Sequence, residues 1–166
     1  MLGSLAATFW ELIRAPFQDP ELIWGIVPLY FSWLLNELTS GKANFTTAIQ
    51  TGFALLWAAS HWIWQAFQAH PARLADASHA MPAVNWAVNL VVVLFGAMAL
   101  WAGLRRRYPR GWKFLGHTRF AGYFMITIFP IQAGTLNWDW ERLGAVAAFA
   151  LPVWLLTHLL VVPLRR

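Results

Sequence analysis

Three groups of polar side chains stand out against an apolar chain. Glu37, His117, Arg119 and His158 comprise an acid, two imidazoles and a guanidinium. Such a set can gate a proton or hold an anionic headgroup, because an imidazole with an ordinary pKa of about 6.5 changes charge near neutrality and a neighbouring carboxylate favours its charged form. His61, Asn85, Asn89 and Gln132 are richer in amides, and their chemistry is hydrogen bonding, either to a polar solute or between helices. Asn85 and Asn89 are four apart and share one helix face. Arg105, Arg106, Arg107, Arg110 and Lys113 crowd into nine positions, and clustered cations beside a bilayer attract the phosphates of anionic lipids. The simpler reading of the amides is interhelical glue, and that of the cations is a signal of topology.

The elements that must carry these groups are helices made for lipid. The 166 residues are 59% apolar, 16% aromatic and only 11% charged, whereas soluble domains are about a quarter charged. Twelve tryptophans point the same way, since an indole satisfies both its apolar body and its N–H at the membrane–water boundary. With no cysteine, disulfides, Fe–S clusters, thiolate zinc sites and cysteine nucleophiles are excluded. Walker A, GxGxxG, HExxH and GxSxG motifs are absent, so no enzyme class and no cofactor is expected. Asp139 and Glu141, flanked by Trp138 and Trp140, read better as a boundary turn than as a cation site.

A spanning helix needs roughly 20 mostly apolar residues. Five stretches qualify, at about 21–38, 46–67, 84–104, 120–136 and 143–164, in one transmembrane domain covering 1–166. Ahead of them Leu2, Leu5, Phe9, Leu12 and Ile13 recur at helical spacing beside Glu11 and Arg14, which suits an amphipathic helix lying in the interface and ended by Pro16 and Pro20. No basic n-region or cleavage site marks a removed signal peptide. The fold expected is an all-α membrane bundle of five transmembrane helices with an N-terminal interfacial helix.

Basic loops stay in the cytoplasm. The cations between the third and fourth stretches therefore lie inside, as do Lys42 and the terminal Arg165 and Arg166, with the N-terminus outside. At about 1.5 Å per residue, His61 lies roughly 22 Å from the cytoplasmic end of its span and His158 roughly 9 Å, so a haem or metal shared between them is not expected. Glu37, His117, Arg119 and His158 then form a cytoplasmic polar layer, and His61, Asn85, Asn89 and Gln132 an outer one. Pro28, Pro130 and Pro152 sit within spans, where proline kinks a helix. The pairs Ala99/Gly103 and Gly144/Ala148 offer small-residue packing faces. The function expected is an accessory subunit of a membrane complex, contacting anionic lipid and other transmembrane subunits but not nucleic acid. The alternative is a small oligomeric transporter or channel using the intramembrane His, Glu and Asn groups.

Overall fold

The computed structural model describes residues 2–38, 45–68, 83–105 and 119–161, and among these the regular structure is all helical. The elements are α1 (Leu2–Arg14), a 3-10 turn (Ala15–Phe17), α2 (Pro20–Leu38), α3 (Phe45–Gln68), α4 (Ala83–Arg105), α5 (Arg119–Gln132) and α6 (Trp140–Val161). Local chemistry sets the boundaries. Asp19 precedes Pro20 and accepts the Glu21 N–H on its side chain at 3.0 Å; Asp139 precedes Trp140 and accepts the Glu141 N–H at 3.2 Å. Both are N-caps, and α2 also has proline at its first position, where the missing N–H costs nothing.

α5 ends four residues before the sequence suggests, for a local reason. Gly134 takes φ 79°, and the Thr135 and Gly134 N–H groups turn back onto the Pro130 and Ile131 carbonyls at 3.0 and 3.1 Å. This closes the helix in a Schellman turn, and the Thr135 hydroxyl adds a third bond to the Pro130 carbonyl at 2.7 Å.

Among the described residues only Ala83–Arg105 and Trp140–Leu160 are long and apolar enough, by length and composition, to cross a membrane. That is fewer than the five stretches expected. α2 carries Glu21, Asn36 and Glu37; α3 carries Thr46, Thr47, Gln50, Thr51, His61 and Gln65; and α5 has only 14 residues. Each falls short in apolarity or in length.

Successive helices from α2 to α6 reverse direction. On α3 and α4, Gly52 faces the Gly96 and Leu100 backbone while Gly103 faces Phe45 and Ile49, an antiparallel crossing with almost no side chain between the two helices. On α2 and α5, Gly25 faces Phe129 and Gly122 faces Trp33. Gly25 also abuts His61, and Asn36 donates to the Thr51 hydroxyl at 3.2 Å, which sets the register of α2 on α3. The Tyr123 hydroxyl reaches the Val146 carbonyl at 2.7 Å and ties α5 to α6. One end of the bundle therefore gathers the capped starts of α2 and α6, and the opposite end carries Arg105.

α1 is amphipathic, and it packs against the start of α6. Ser4 and Thr8 both donate to the Glu141 carboxylate, and Glu11 lies 3.8 Å from Arg142. Leu5 and Phe9 reach Gly144 and Phe149 in turn, so α1 lies against the first turns of α6, from Glu141 to Phe149. Its apolar edge points inward: Leu12 is fully buried and Phe9 stacks on Phe149 at 4.6 Å between ring centres.

Polarity is distributed inside out. Buried positions include Ser32, Glu37, Thr47, Thr51, Asn85, Asn89, Thr127 and Gln132. Exposed positions include Trp24, Val27, Phe31 and Leu34 down one face of α2, and Leu151, Leu155 and Leu159 on α6. A chain folded in water would be expected to show the opposite arrangement.

Candidate functional site

At the capped end, three helices bring polar side chains to nearly one level, around a glycine of a fourth. Gly25 on α2 has no side chain, and the space is taken by the His61 ring of α3 and the Phe129 ring of α5; any Cβ there would overlap both. The two rings stack with centres 5.8 Å apart, and Trp62 tilts against Phe129 at 5.7 Å. Carrying the α3–α4 register on from Gly52 and Gly96 sets Asn89 level with His61. Gln132 follows Phe129 by one turn of α5, and Asn85 precedes Asn89 by one turn of α4. The sequence-derived outer set of His61, Asn85, Asn89 and Gln132 therefore shares one end of one bundle.

These groups differ in how they are satisfied. Asn85 accepts a hydrogen bond from the Trp138 indole. Asn89 is 2% exposed and Gln132 is fully buried, yet both ends of both amides lack a hydrogen-bond partner. The His61 Nε2 and the indole N–H of fully buried Trp62 are unpartnered as well. An unpaired buried amide or indole costs about 1–3 kcal/mol, and native interiors seldom hold several together. The acids whose field reaches His61 are Glu21 and Asp19, on the first turn of α2 and its cap.

Toward the other end the interior turns apolar. Ile26, Leu29, Ala54, Leu55, Ala58, Val92, Met125 and Ile126 fill it as one cluster. Beyond this belt lies a second polar group, where the end of α2 meets the start of α3. Glu37 is 1% exposed there, Thr47 and Thr51 are buried, and the Asn36 Oδ1 and Gln50 Oε1 are buried acceptors with no hydrogen-bond partner.

His158, expected beside Glu37, sits farther out. Through Trp33–Gly122 and Tyr123–Val146, Glu37 is level with the start of α5 and with about Ala150 of α6. His158 is eight residues beyond, roughly 12 Å, and stacks on Trp154 at 5.7 Å. Arg119 opens α5 near the level of Glu37, and His117 lies outside the described residues. His61 and His158 are on opposite sides of the bundle's middle, roughly 27 Å apart along its axis by the same registers. Of the basic cluster, Arg105 is exposed, with its guanidinium 5.1 Å from the centre of the Trp101 ring. Arg106, Arg107, Arg110 and Lys113 lie outside the described residues.

The side chains that the sequence reading passed over are Trp62, Trp138, Gln50 and Thr51. Composition places every tryptophan at a boundary, and nothing local separates the buried Trp62 and half-buried Trp138 from exposed Trp24, Trp64, Trp86 and Trp140. Thr47 and Thr51 did carry a signal, a polar pair four apart on the face that also bears Ala48 and Gly52. The small-residue pairs are mostly consumed within the chain: Ala99 and Gly103 are buried, with Gly103 packed on α3, and Gly144 meets Leu5 of α1 at the 3.8 Å contact distance of its added Cβ. Among the described residues no three His, Cys, Asp or Glu side chains converge as a metal site would need. Comparisons with protein-family models, with curated proteins and with solved structures find no match to this chain.

Proposed function

We propose that this protein is a multi-pass integral membrane protein whose five antiparallel helices cross the bilayer, and that it admits a small polar species to its interior as a transporter or channel. One observation carries the reading: a bundle that is apolar outside buries unpartnered polar side chains, His61, Trp62, Asn89 and Gln132, at one end. Polar groups at membrane depth are expensive and mark solute pathways when they face a bundle interior. The apolar belt between the two polar groups favours a gated transporter over an open pore. The basic end is cytoplasmic in this reading, the capped end and α1 are outside, and Arg105 with the cations after it meets anionic headgroups.

The test is flux. Purified protein in vesicles is compared with protein-free vesicles for the passage of protons, K⁺, Cl⁻, water, urea and glycerol. Passage of any of these above background supports the proposal, and passage of none overturns it. The second reading, an accessory subunit of a membrane complex, is favoured by α4. That helix packs chiefly on α3 and leaves Val84, Trp86, Leu90, Val91, Leu94 and Phe95 exposed, a face wide enough for a second protein. A defined heteromeric complex recovered in mild detergent, together with absent flux, would select it.

A further inference from the structure

The unpartnered atoms at the capped end have a definite chemical balance. Asn89 Nδ2, Gln132 Nε2 and the Trp62 indole N–H donate; Asn89 Oδ1 and Gln132 Oε1 accept; and His61 Nε2 does either according to its tautomer. None of these six atoms belongs to a carboxylate, an ammonium or a guanidinium; a further unpartnered buried atom of that end, Arg142 Nε, belongs to a guanidinium that already faces the Glu11 carboxylate at 3.8 Å. The charged groups of that end are engaged elsewhere. Asp19 and Asp139 cap helices, Glu141 accepts from Ser4 and Thr8, and Arg142 donates to the Asn137 carbonyl and faces Glu11. Glu21 is exposed at the mouth. A cation entering this level would meet only the field of Asp19 and Glu21 at the mouth, and an anion only an Arg142 that already faces Glu11, while burial of an unpaired ion costs several kcal/mol or more. A neutral molecule carrying both a donor and an acceptor matches the atoms present.

Resting on the proposed transport reading, we infer that His61, Trp62, Asn89 and Gln132 form a selective site for small uncharged hydrogen-bonding molecules, water or a compact amide or polyol, and that ions are refused there. Exposed tryptophans surround the site at its own level. Trp64 and Trp86 are level in the α3–α4 register, Trp24 adjoins Gly25 in the chain, and Trp140 is level with Phe129; all four are exposed. An indole belt marks the membrane boundary, so the site is within a turn or two of bulk water and a polar guest reaches it without crossing hydrocarbon. Phe129 and the aliphatic belt behind it close the inner side, so the guest waits at a vestibule until the belt rearranges.

The experiment uses the full chain reconstituted in vesicles. Osmotic shrinkage followed by light scattering reads water, urea and glycerol; ion electrodes read K⁺ and Cl⁻; a trapped dye reads protons. Permeability to water, to urea or to glycerol is expected to exceed that of empty vesicles, and the solute that passes identifies the source of the guest. Asn89→Leu with Gln132→Met keeps the volumes and removes four of the unpartnered atoms. That variant is expected to lose at least tenfold in neutral-solute permeability while melting at or above the wild-type temperature in detergent. Ion flux without neutral flux would overturn the inference yet leave the transport reading standing, whereas absence of all flux would overturn both. Unchanged neutral flux in the double variant would overturn the inference alone. If the double variant does not assemble, Gln132→Asn withdraws the same amide by one methylene, and neutral permeability unchanged by it has the same consequence.

Discussion

Replacing Gly52 by alanine tests the packing on which α4 depends. A methyl group at Gly52 would sit 2.6 Å from the Leu100 backbone nitrogen and 2.8 Å from the Gly96 carbonyl oxygen. Ordinary contacts begin near 3.4 Å. Both obstacles are backbone, so no rotamer relieves them and the two helices must part by something under an ångström. Such a gap forfeits a quarter to a half of each dispersion contact along the crossing. Overpacking costs about 1–3 kcal/mol, and with backbone on both sides the upper part of that range applies, about 2–3 kcal/mol, offset by about 1 kcal/mol because alanine favours the helix more than glycine does. The net loss expected is about 1–2 kcal/mol, and for a chain of this size that lowers the melting temperature by about 2–8 °C. The assay is thermal unfolding in mild detergent. Gly3→Ala serves as a control of opposite sign, because nothing lies within 4 Å of a methyl group there and only the propensity gain remains. A Gly52→Ala protein as stable as wild type would refute the close crossing and every register drawn from it.

Further outcomes follow from other contacts. In this cysteine-free chain, a single cysteine at position 110 should resist an impermeant thiol reagent added outside intact cells and one at position 75 should react; the reverse pattern would invert the proposed topology. Nitroxides at positions 31 and 94, exposed apolar residues in the middle of α2 and α4, should be relaxed by oxygen rather than by a water-soluble nickel complex, and one at position 140 should show the opposite preference. Equal nickel access at all three would argue against a membrane-embedded belt. Asp19→Ala removes the cap of α2 and should cost about 1 kcal/mol in the same melting assay, whereas Asp19→Ser should recover most of it. Glu141→Ala deprives Ser4 and Thr8 of their shared acceptor and should expose α1 to limited proteolysis while α2 to α6 stay protected.

Much of the architecture was legible because it follows from periodicity and punctuation. α1 to α4 begin and end within two residues of their expected bounds, since Pro16, Pro20 and the charged turns are local signals. α5 was drawn four residues too long, because the stretch Ile131–Leu136 has no strong breaker in composition; the stop comes from a positive φ at Gly134, which a glycine permits but does not announce. Grouping the outer polar residues required only alternation of helix direction, so His61, Asn85, Asn89 and Gln132 could be placed at one end from span order alone. The depth of His158 could not be had that way. It depends on how far α6 slides along α5, which is set by Tyr123 reaching the Val146 carbonyl, a contact between residues 23 apart in the chain. The roles of individual tryptophans were hidden for a similar reason, because composition places indoles near a boundary without saying which of them turn inward.

The tryptophans and the polar groups together give the bundle a scale. From Trp86 to Arg105 along α4 is nineteen residues, about 28 Å of rise, close to the roughly 30 Å hydrocarbon thickness of a bilayer. In the proposed topology the exposed indoles of Trp24, Trp64, Trp86 and Trp140 mark one boundary, and Trp101 under Arg105 marks the other. On this scale His61, Asn89 and Gln132 lie just inside the first boundary, and Asn36, Glu37 and Gln50 lie near the second. In that topology each polar group is close to water on its own side, and Ile26, Leu29, Ala58, Val92 and Met125, which carry no polar side-chain group to satisfy, lie between them. That arrangement resolves the cost of the unpartnered amides without burying a wet channel through the core: each vestibule can hydrate from its own face while the aliphatic belt keeps the two separate. Gly25 sits at the level of His61, with the His61 and Phe129 rings packed against its bare Cα. A Gly25→Ala side chain would drive those rings apart. The expected result is destabilisation of about 1–3 kcal/mol, as for other overpacked cores, with water permeability higher per folded molecule than in wild type. Lower stability with unchanged permeability would mean that Phe129 and His61 are packing alone and that the barrier lies wholly in the aliphatic belt.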